Sequence, residues 1–230
     1  MRALLKSVQN IRCTNNIKAL SGGFITAAVF SKEVKFMNTP LADLIRPKAL
    51  DEVVGQQHLI GNGKPLRRII ESGHIPNMIF YGPSGTGKTT VAEIIAPLFH
   101  EVGYLESDKV SYVSAQNLIG KYVGQTAPKT EKVIKDNLGG IIVLDEAYIL
   151  AGKAQEFGNE AITVMLKEME KNRTMFIFAG YKKEMEDFIK MNSGLESRIG
   201  TFLEFKDYSE DELFEIFKKN IDKVNDKENQ

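Results

Sequence analysis

The sequence predicts an α/β fold in three layers, with helices covering both faces of a parallel sheet. Three observations predict it. The octet Gly82-Pro83-Ser84-Gly85-Thr86-Gly87-Lys88-Thr89 links an apolar run, Met78–Tyr81, to a helical one, Thr89–Ala96. A second apolar run, Ile141–Leu144, ends in Asp145-Glu146 and follows the breaker Gly139-Gly140. Between and beyond these runs, strand and helix patterns alternate, as they do where parallel strands are joined by crossover helices.

Each element follows from local pattern. Leu66–Glu71 reads as a short helix, Met78–Tyr81 as the first strand and Thr89–Ala96 as the helix after it. Val110–Ser114 is the second strand. Thr126 is the expected N-cap of a helix running to about Asn137. Ile141–Leu144 is a strand buried on both faces. Ile162, Met165, Leu166 and Met169 recur at i, i+3, i+4 and i+7, the stripe of an amphipathic helix whose methionines fill core gaps. Thr174–Ala179 is a further buried strand and Phe202–Phe205 the last. From about Ser209 one more helix carries Phe214, Phe217, Ile221 and Val224 on one face, and the polar end Asp226–Gln230 is expected to fray.

The chemistry lies in the two loops after apolar runs. The octet fits G-x-x-x-x-G-K-[ST] in its strand–loop–helix setting. Glycines let the backbone turn tightly and point successive N–H groups at phosphate oxygens, and the helix start adds partial positive charge. Lys88 would reach the β- and γ-phosphates, the Thr89 hydroxyl would ligate Mg²⁺, and Thr90 joins the binding set in the next position. Asp145 and Glu146 stand at a carboxyl strand end, where open α/β sheets bind ligands. Asp145 would hold the Mg²⁺ hydration shell, and Glu146 would orient and polarise the attacking water. The expected cofactors are ATP and Mg²⁺.

Composition narrows the class. The 230 residues carry formal net charge +0, with 43% hydrophobic and 26% charged residues, the profile of a globular protein with one core of ordinary size. Neutrality gives no sign of a polyanion-binding surface, so nucleic acid is the lesser expectation. The one cysteine, Cys13, excludes a disulfide within the chain. His58, His74 and His100 lie too far apart to share a metal and are expected at the surface or as caps. No apolar run approaches the ~20 residues that span a bilayer, and the expected compartment is the cytoplasm. Residues 1–36 read as a basic, poorly ordered extension: Arg2, Lys6, Arg12, Lys18 and Lys32 precede the first acid, Glu33. An organelle-targeting segment and upstream sequence read before a start at Met37 are the other readings of it.

The phosphate loop, Asp145-Glu146 and the text after them resemble the AAA+ ATPases, which implies the P-loop NTPase fold. Residues 37–96 resemble replication-associated recombination protein A. The likeness is carried by Pro40-Leu41-Ala42-Asp43, Arg46-Pro47-Lys48, Leu50 to Gln56 and Gly61 to Arg68. It implies adenine contacts at Val53, Val54, Gly55 and Gln56. Residues 98–218 resemble stage V sporulation protein K and the CbbX-type rubisco activases through Leu118 to Ala127, Asp145 to Tyr148, Ala179-Gly180-Tyr181, Gly194 to Arg198 and Asp207-Tyr208-Ser209. The seam between the two likenesses falls near Pro97.

The resemblance assigns three further roles. Tyr122-Val123-Gly124 matches an aromatic pore loop that grips extended polypeptide, with a packed strand-to-helix turn as the plainer reading. Arg198 matches an arginine finger supplied to a neighbouring subunit, with a helix-end arginine paired to Glu196 or Asp187 as the plainer reading. Tyr181 stands where such proteins carry a shorter polar residue beside the water, and its reach is longer. The implied organisation is a nucleotide-binding domain over 37–206 and the remnant of a truncated helical lid over 207–230, with no arginine after Arg198. The implied work is remodelling of a protein client, with self-association into a ring. The alternatives are a DNA-associated ATPase of the recombination type and a nucleotide-binding module with little hydrolysis.

Overall fold

The computed structural model describes residues 46–72, 76–151, 155–171 and 174–228. The basic extension, Cys13, Pro40–Asp43 and His74 lie outside the described residues.

Five parallel strands form one sheet in the order β2-β3-β4-β1-β5. They are β1 Asn77–Tyr81, β2 Val110–Ser114, β3 Ile141–Asp145, β4 Met175–Gly180 and β5 Ile199–Glu204. The helices are α1 Gln57–Ile60, α2 Pro65–Ser72, α3 Lys88–Glu101, α4 Thr126–Lys135, α5 Gln155–Met169, α6 Lys182–Lys190, α7 Ser193–Arg198 and α8 Glu210–Glu228. The expected α/β class is therefore the observed one. None of these helices is long and apolar enough to cross a membrane.

The two central apolar runs do what continuous apolar strands must, since residues on alternate faces both need cover. Every residue of β4 is buried, as are the first four of β3. One face of the sheet packs on α3 through Phe80, Ile95, Phe99, Ile177 and Phe205. The other packs on α5 and α6 through Phe176, Phe178, Ile162, Met165 and Phe188. Phe178 anchors that second layer, its ring centroid 5.5 Å from Phe188 and 6.2 Å from Phe176.

Two local expectations are corrected. Thr126 is the first residue of α4, and Gln125 is its N-cap. The Thr126 side chain is fully buried, and its hydroxyl oxygen accepts from Gly120 N (2.9 Å), so a bond back to the preceding turn takes the oxygen that a cap would use. The last strand begins at Ile199 and leaves Phe205 outside it, buried against Phe80 at 5.0 Å. On the amphipathic helix, Ile162, Met165 and Met169 are core and Leu166 packs against it partly buried, as the stripe predicts.

α8 departs from the pattern of the other long helices. Phe214, Phe217 and Ile221 are 68%, 61% and 42% exposed. Its start is fixed by a capping box, in which Ser209 N donates to Glu212 Oε2 (2.8 Å) and Glu212 N to Ser209 Oγ (3.3 Å).

Candidate functional site: a phosphate loop facing two carboxylates

The order of the strands places the site. β1 and β3 flank β4, so their carboxyl-end loops open into one crevice. A cavity of about 370 Å³ lies there, lined among others by Lys88, Thr89, Tyr112, Ser114, Asp145 and Glu146.

The loop after β1 is held by backbone rather than by side-chain packing. Gly82 N donates to Gly180 O (3.2 Å), and a Cβ on Gly82 would sit 2.0 Å from Phe205 O. Only glycine fits that approach. Gly85 and Gly87 carry φ of +80° and +90°, and the Thr86 hydroxyl closes the turn on Pro83 O (2.9 Å). Lys88 bends back to donate to Gly82 O (2.8 Å) and Pro83 O (2.5 Å). Burial pushes the Lys88 ammonium below its ordinary pKa, and the Asp145 and Asp207 carboxylates oppose that shift. A desolvated cation held by neutral carbonyls is poised for phosphate, which supplies the charge that burial took away.

Asp145 and Glu146 follow β3. Glu146 has φ +51°, a left-handed backbone that a residue with a Cβ adopts at a cost of order 1 kcal/mol. Its N–H donates to Asp145 Oδ1 (3.0 Å), and the Tyr148 hydroxyl donates to Glu146 Oε1 (3.0 Å). Burial, first, and the Glu146 carboxylate, second, push the Tyr148 phenol up to about 12. Tyr181 caps the far side of the loop, its hydroxyl 3.2 Å from Ser84 Oγ. These groups fit Mg²⁺ with a nucleotide: Thr89 and Asp145 are exposed oxygen donors on the same cavity as Lys88. Among the described residues, no group of three or more His, Cys, Asp or Glu forms a protein cage for a metal. An ion ligated largely by phosphate and water needs none.

The segment before β1 braces the loop from behind. Val53 and Val54 are buried, and Gly55 has φ +72°. Gln56 is 4% exposed, and its amide ties three chain segments together. Its Nε2 donates to Thr86 O (3.3 Å) and Lys206 O (2.7 Å), and its Oε1 accepts from Lys206 N (3.2 Å). The Tyr208 hydroxyl also donates to Thr86 O (3.2 Å), and its ring fills the space over Gly55.

The remaining expected residues lie elsewhere. Tyr122 and Val123 are 70% and 89% exposed on the turn before α4, and Gly124 has φ +81°. Neither that turn nor Arg198 lines the cavity. Arg198 ends α7, ion-paired with Glu170 rather than with Glu196 or Asp187, and donates to Gly194 O (3.2 Å). His58 and His100 each hold a carbonyl, of Glu204 and Leu105, as surface or capping histidines do.

Sequence reasoning missed three contributors: Tyr112, Tyr148 and Tyr208. Tyr112 donates to Thr89 O (3.2 Å) at the cavity edge. Burial, together with Glu93, raises its phenol pKa, and Arg46 grips Glu93 at 2.6 Å. Tyr148 and Tyr208 stand inside the strings that carry the resemblance, but nothing in those strings assigned them a role, and Tyr112 gave no signal beyond an aromatic residue on a strand.

The AAA model, "ATPase family associated with various cellular activities", matches residues 78–207, more than half of the chain. The chain belongs to this family. It is 44% identical to CbbX of Cereibacter sphaeroides over 153 residues, 65% of this chain and 50% of that protein. It is 46% identical to stage V sporulation protein K of Bacillus subtilis over 149 residues, 64% of this chain and 46% of that protein. A chloroplastic ribulose bisphosphate carboxylase/oxygenase activase of Cyanidioschyzon merolae is 42% identical over 146 residues, 62% of this chain and 50% of that protein. The chain thus spans about half the length of the curated relatives it matches. The Bacillus alignment is longer than the 133 residues from Leu98 to Gln230, so the likeness crosses Pro97 rather than starting there. A DNA replication initiation factor shares the fold, with TM-score 0.52 at 21% identity over 77% of this chain and 55% of that one.

Proposed function

We propose that this chain hydrolyses Mg²⁺-ATP and couples the cycle to remodelling of a protein partner in the cytoplasm. One observation carries the reading: Lys88, Thr89, Asp145 and Glu146 line a single cavity. Lys88 and the loop amides from Gly82 to Gly87 bind phosphate, with Thr90 in the helical turn that follows. Thr89 and Asp145 hold Mg²⁺, which when bound neutralises phosphate charge. Glu146 orients water and takes its proton. Val53, Val54, Gly55 and Gln56 lie on the base side of the nucleotide. Arg198, near the surface in its pair with Glu170, reaches the site of a neighbouring copy in a ring. Tyr122, Val123 and Gly124 grip the client, a role their exposure supports. Residues 37–206 are the nucleotide-binding domain, and 207–230 are lid sequence with a polar tail. The activase and CbbX relatives support a protein client.

The test is ATP turnover per subunit across protein concentration. Glu146→Gln is expected to lower kcat by roughly 10²-fold or more while keeping ATP bound, and Lys88→Ala to abolish binding. Turnover per subunit is expected to rise with concentration as Arg198 enters neighbouring sites. Wild-type turnover no higher than that of Lys88→Ala at any concentration overturns the reading.

A further inference from the structure

We propose that Tyr148 is a positioning residue for the hydrolytic step, holding the Glu146 carboxylate in the orientation that presents its second oxygen to water. The inference rests on the hydrolase reading above and deepens it.

Four observations converge on Tyr148. The backbone at Glu146 is left-handed, an arrangement that persists only where its surroundings over-determine it. Two bonds do so here: the Glu146 N–H is tied to Asp145, and Glu146 Oε1 receives the Tyr148 hydroxyl (3.0 Å). The Tyr148 ring is itself held. It packs on Tyr181 with centroids 6.3 Å apart, and a Cβ at position 180 would come within 2.9 Å of Tyr148 Cδ1, so Gly180 makes room for it. Tyr181 in turn reaches Ser84 of the phosphate loop at 3.2 Å. The carboxylate is thereby linked to the loop through two rings rather than left to rotate.

The chemical consequence follows from the inventory of donors and acceptors. A carboxylate with free torsions presents its lone pairs in many directions. Fixing one oxygen with a phenol donor leaves the other with a narrow set of directions for accepting a water proton. The phenol keeps its own proton throughout, because burial and Glu146 both oppose its ionisation. It is therefore a donor and not a base. Proton transfer runs from water to Glu146 alone.

The experiment uses the full chain. Tyr148→Phe removes the hydroxyl and keeps the ring that packs on Tyr181. It is expected to lower kcat roughly ten- to a hundredfold, the worth of one hydrogen bond to a charged group, with KM for ATP and the melting temperature unchanged. In a Glu146→Gln background, Tyr148→Phe is expected to change kcat no further. A second readout needs no turnover. In tyrosine-labelled protein, the resonance lost in Tyr148→Phe reports the phenol, and Glu146→Gln is expected to move it as a charged acceptor becomes neutral. If wild type turns over no ATP, the hydrolase reading fails, and a shifted resonance still supports Tyr148 as the holder of Glu146. A kcat for Tyr148→Phe within twofold of an active wild type, or a resonance indifferent to Glu146→Gln, overturns the proposal.

Discussion

The sheet centre and the C-terminal helix are held by different physics. β4 is buried at every residue between two layers of helices, whereas α8 leaves Phe214 and Phe217 more than half exposed. The centre is stable because apolar area leaves water on both faces. α8 is attached by polar contacts along one side. Lys223 pairs with Glu52 (3.0 Å), Lys219 donates to Glu52 O (3.5 Å), and Gln56 and Tyr208 bind at its base. Directional bonds of this sort can exchange without loss of the core. A helix so attached can move on a fixed body, and Tyr208 at its root and Gln56 both donate to Thr86 O, a carbonyl of the phosphate loop itself.

The sharpest way to break the contrast is a matched pair of truncations. Phe178→Ala removes a fully buried ring between Phe176 and Phe188 and is expected to cost about 3–5 kcal/mol. Phe217→Ala on α8 is expected to stay within about 0.5 kcal/mol. Denaturant midpoints at constant slope measure both. Equal losses would mean that α8 is as much a part of the core as β4.

Gln56 lies between the two regions and tests their joint. Gln56→Ala deprives the Lys206 N–H and carbonyl of partners and removes a donor from Thr86 O. The expected loss is about 1–3 kcal/mol, felt at α8 before the sheet. Amide exchange should quicken over Glu210–Glu228 while β1 and β4 keep their protection. Quickening shared equally by sheet and helix would show that the joint belongs to the body.

The same division decides what was legible in the sequence. β1, β3 and β4 could be read because burial on both faces demands unbroken apolar runs, and the phosphate loop because its glycines have no substitutes. Asp145 and Glu146 followed from their place at a strand end. What could not be read depends on side-chain partners that the local pattern does not name. Thr126 looks like a cap until Gly120 takes its oxygen. Arg198 finds Glu170, 28 residues away, rather than a neighbour on its own helix. Tyr208 meets Thr86 across 122 residues. The Tyr148 bond to Glu146 is local, yet it depends on the left-handed turn at Glu146, for which no glycine or asparagine gives a cue.

The smallest expected effect is a pH-dependent loosening of α8. The Lys223 ammonium, first, and the Lys48 backbone N–H, second, hold the Glu52 carboxyl below its ordinary 4.5. A carboxyl with a lowered folded-state pKa binds fewer protons folded than unfolded, so its contribution is complete above about 4.5 and is lost as pH falls through the lower folded value. Glu52 and Lys223 are 44% and 33% exposed, so water and salt screen the pair, and about 0.3 kcal/mol is the expected scale at neutral pH. Lys223→Met is therefore expected to speed amide exchange in α8 slightly at pH 7 and low salt. The gap from wild type should shrink in high salt and shrink again once acid has protonated Glu52. A gap that persists in acid would assign the attachment of α8 to what acid leaves in place, the Lys223 stem and its bond to Arg46 O (3.5 Å), rather than to the pair with Glu52.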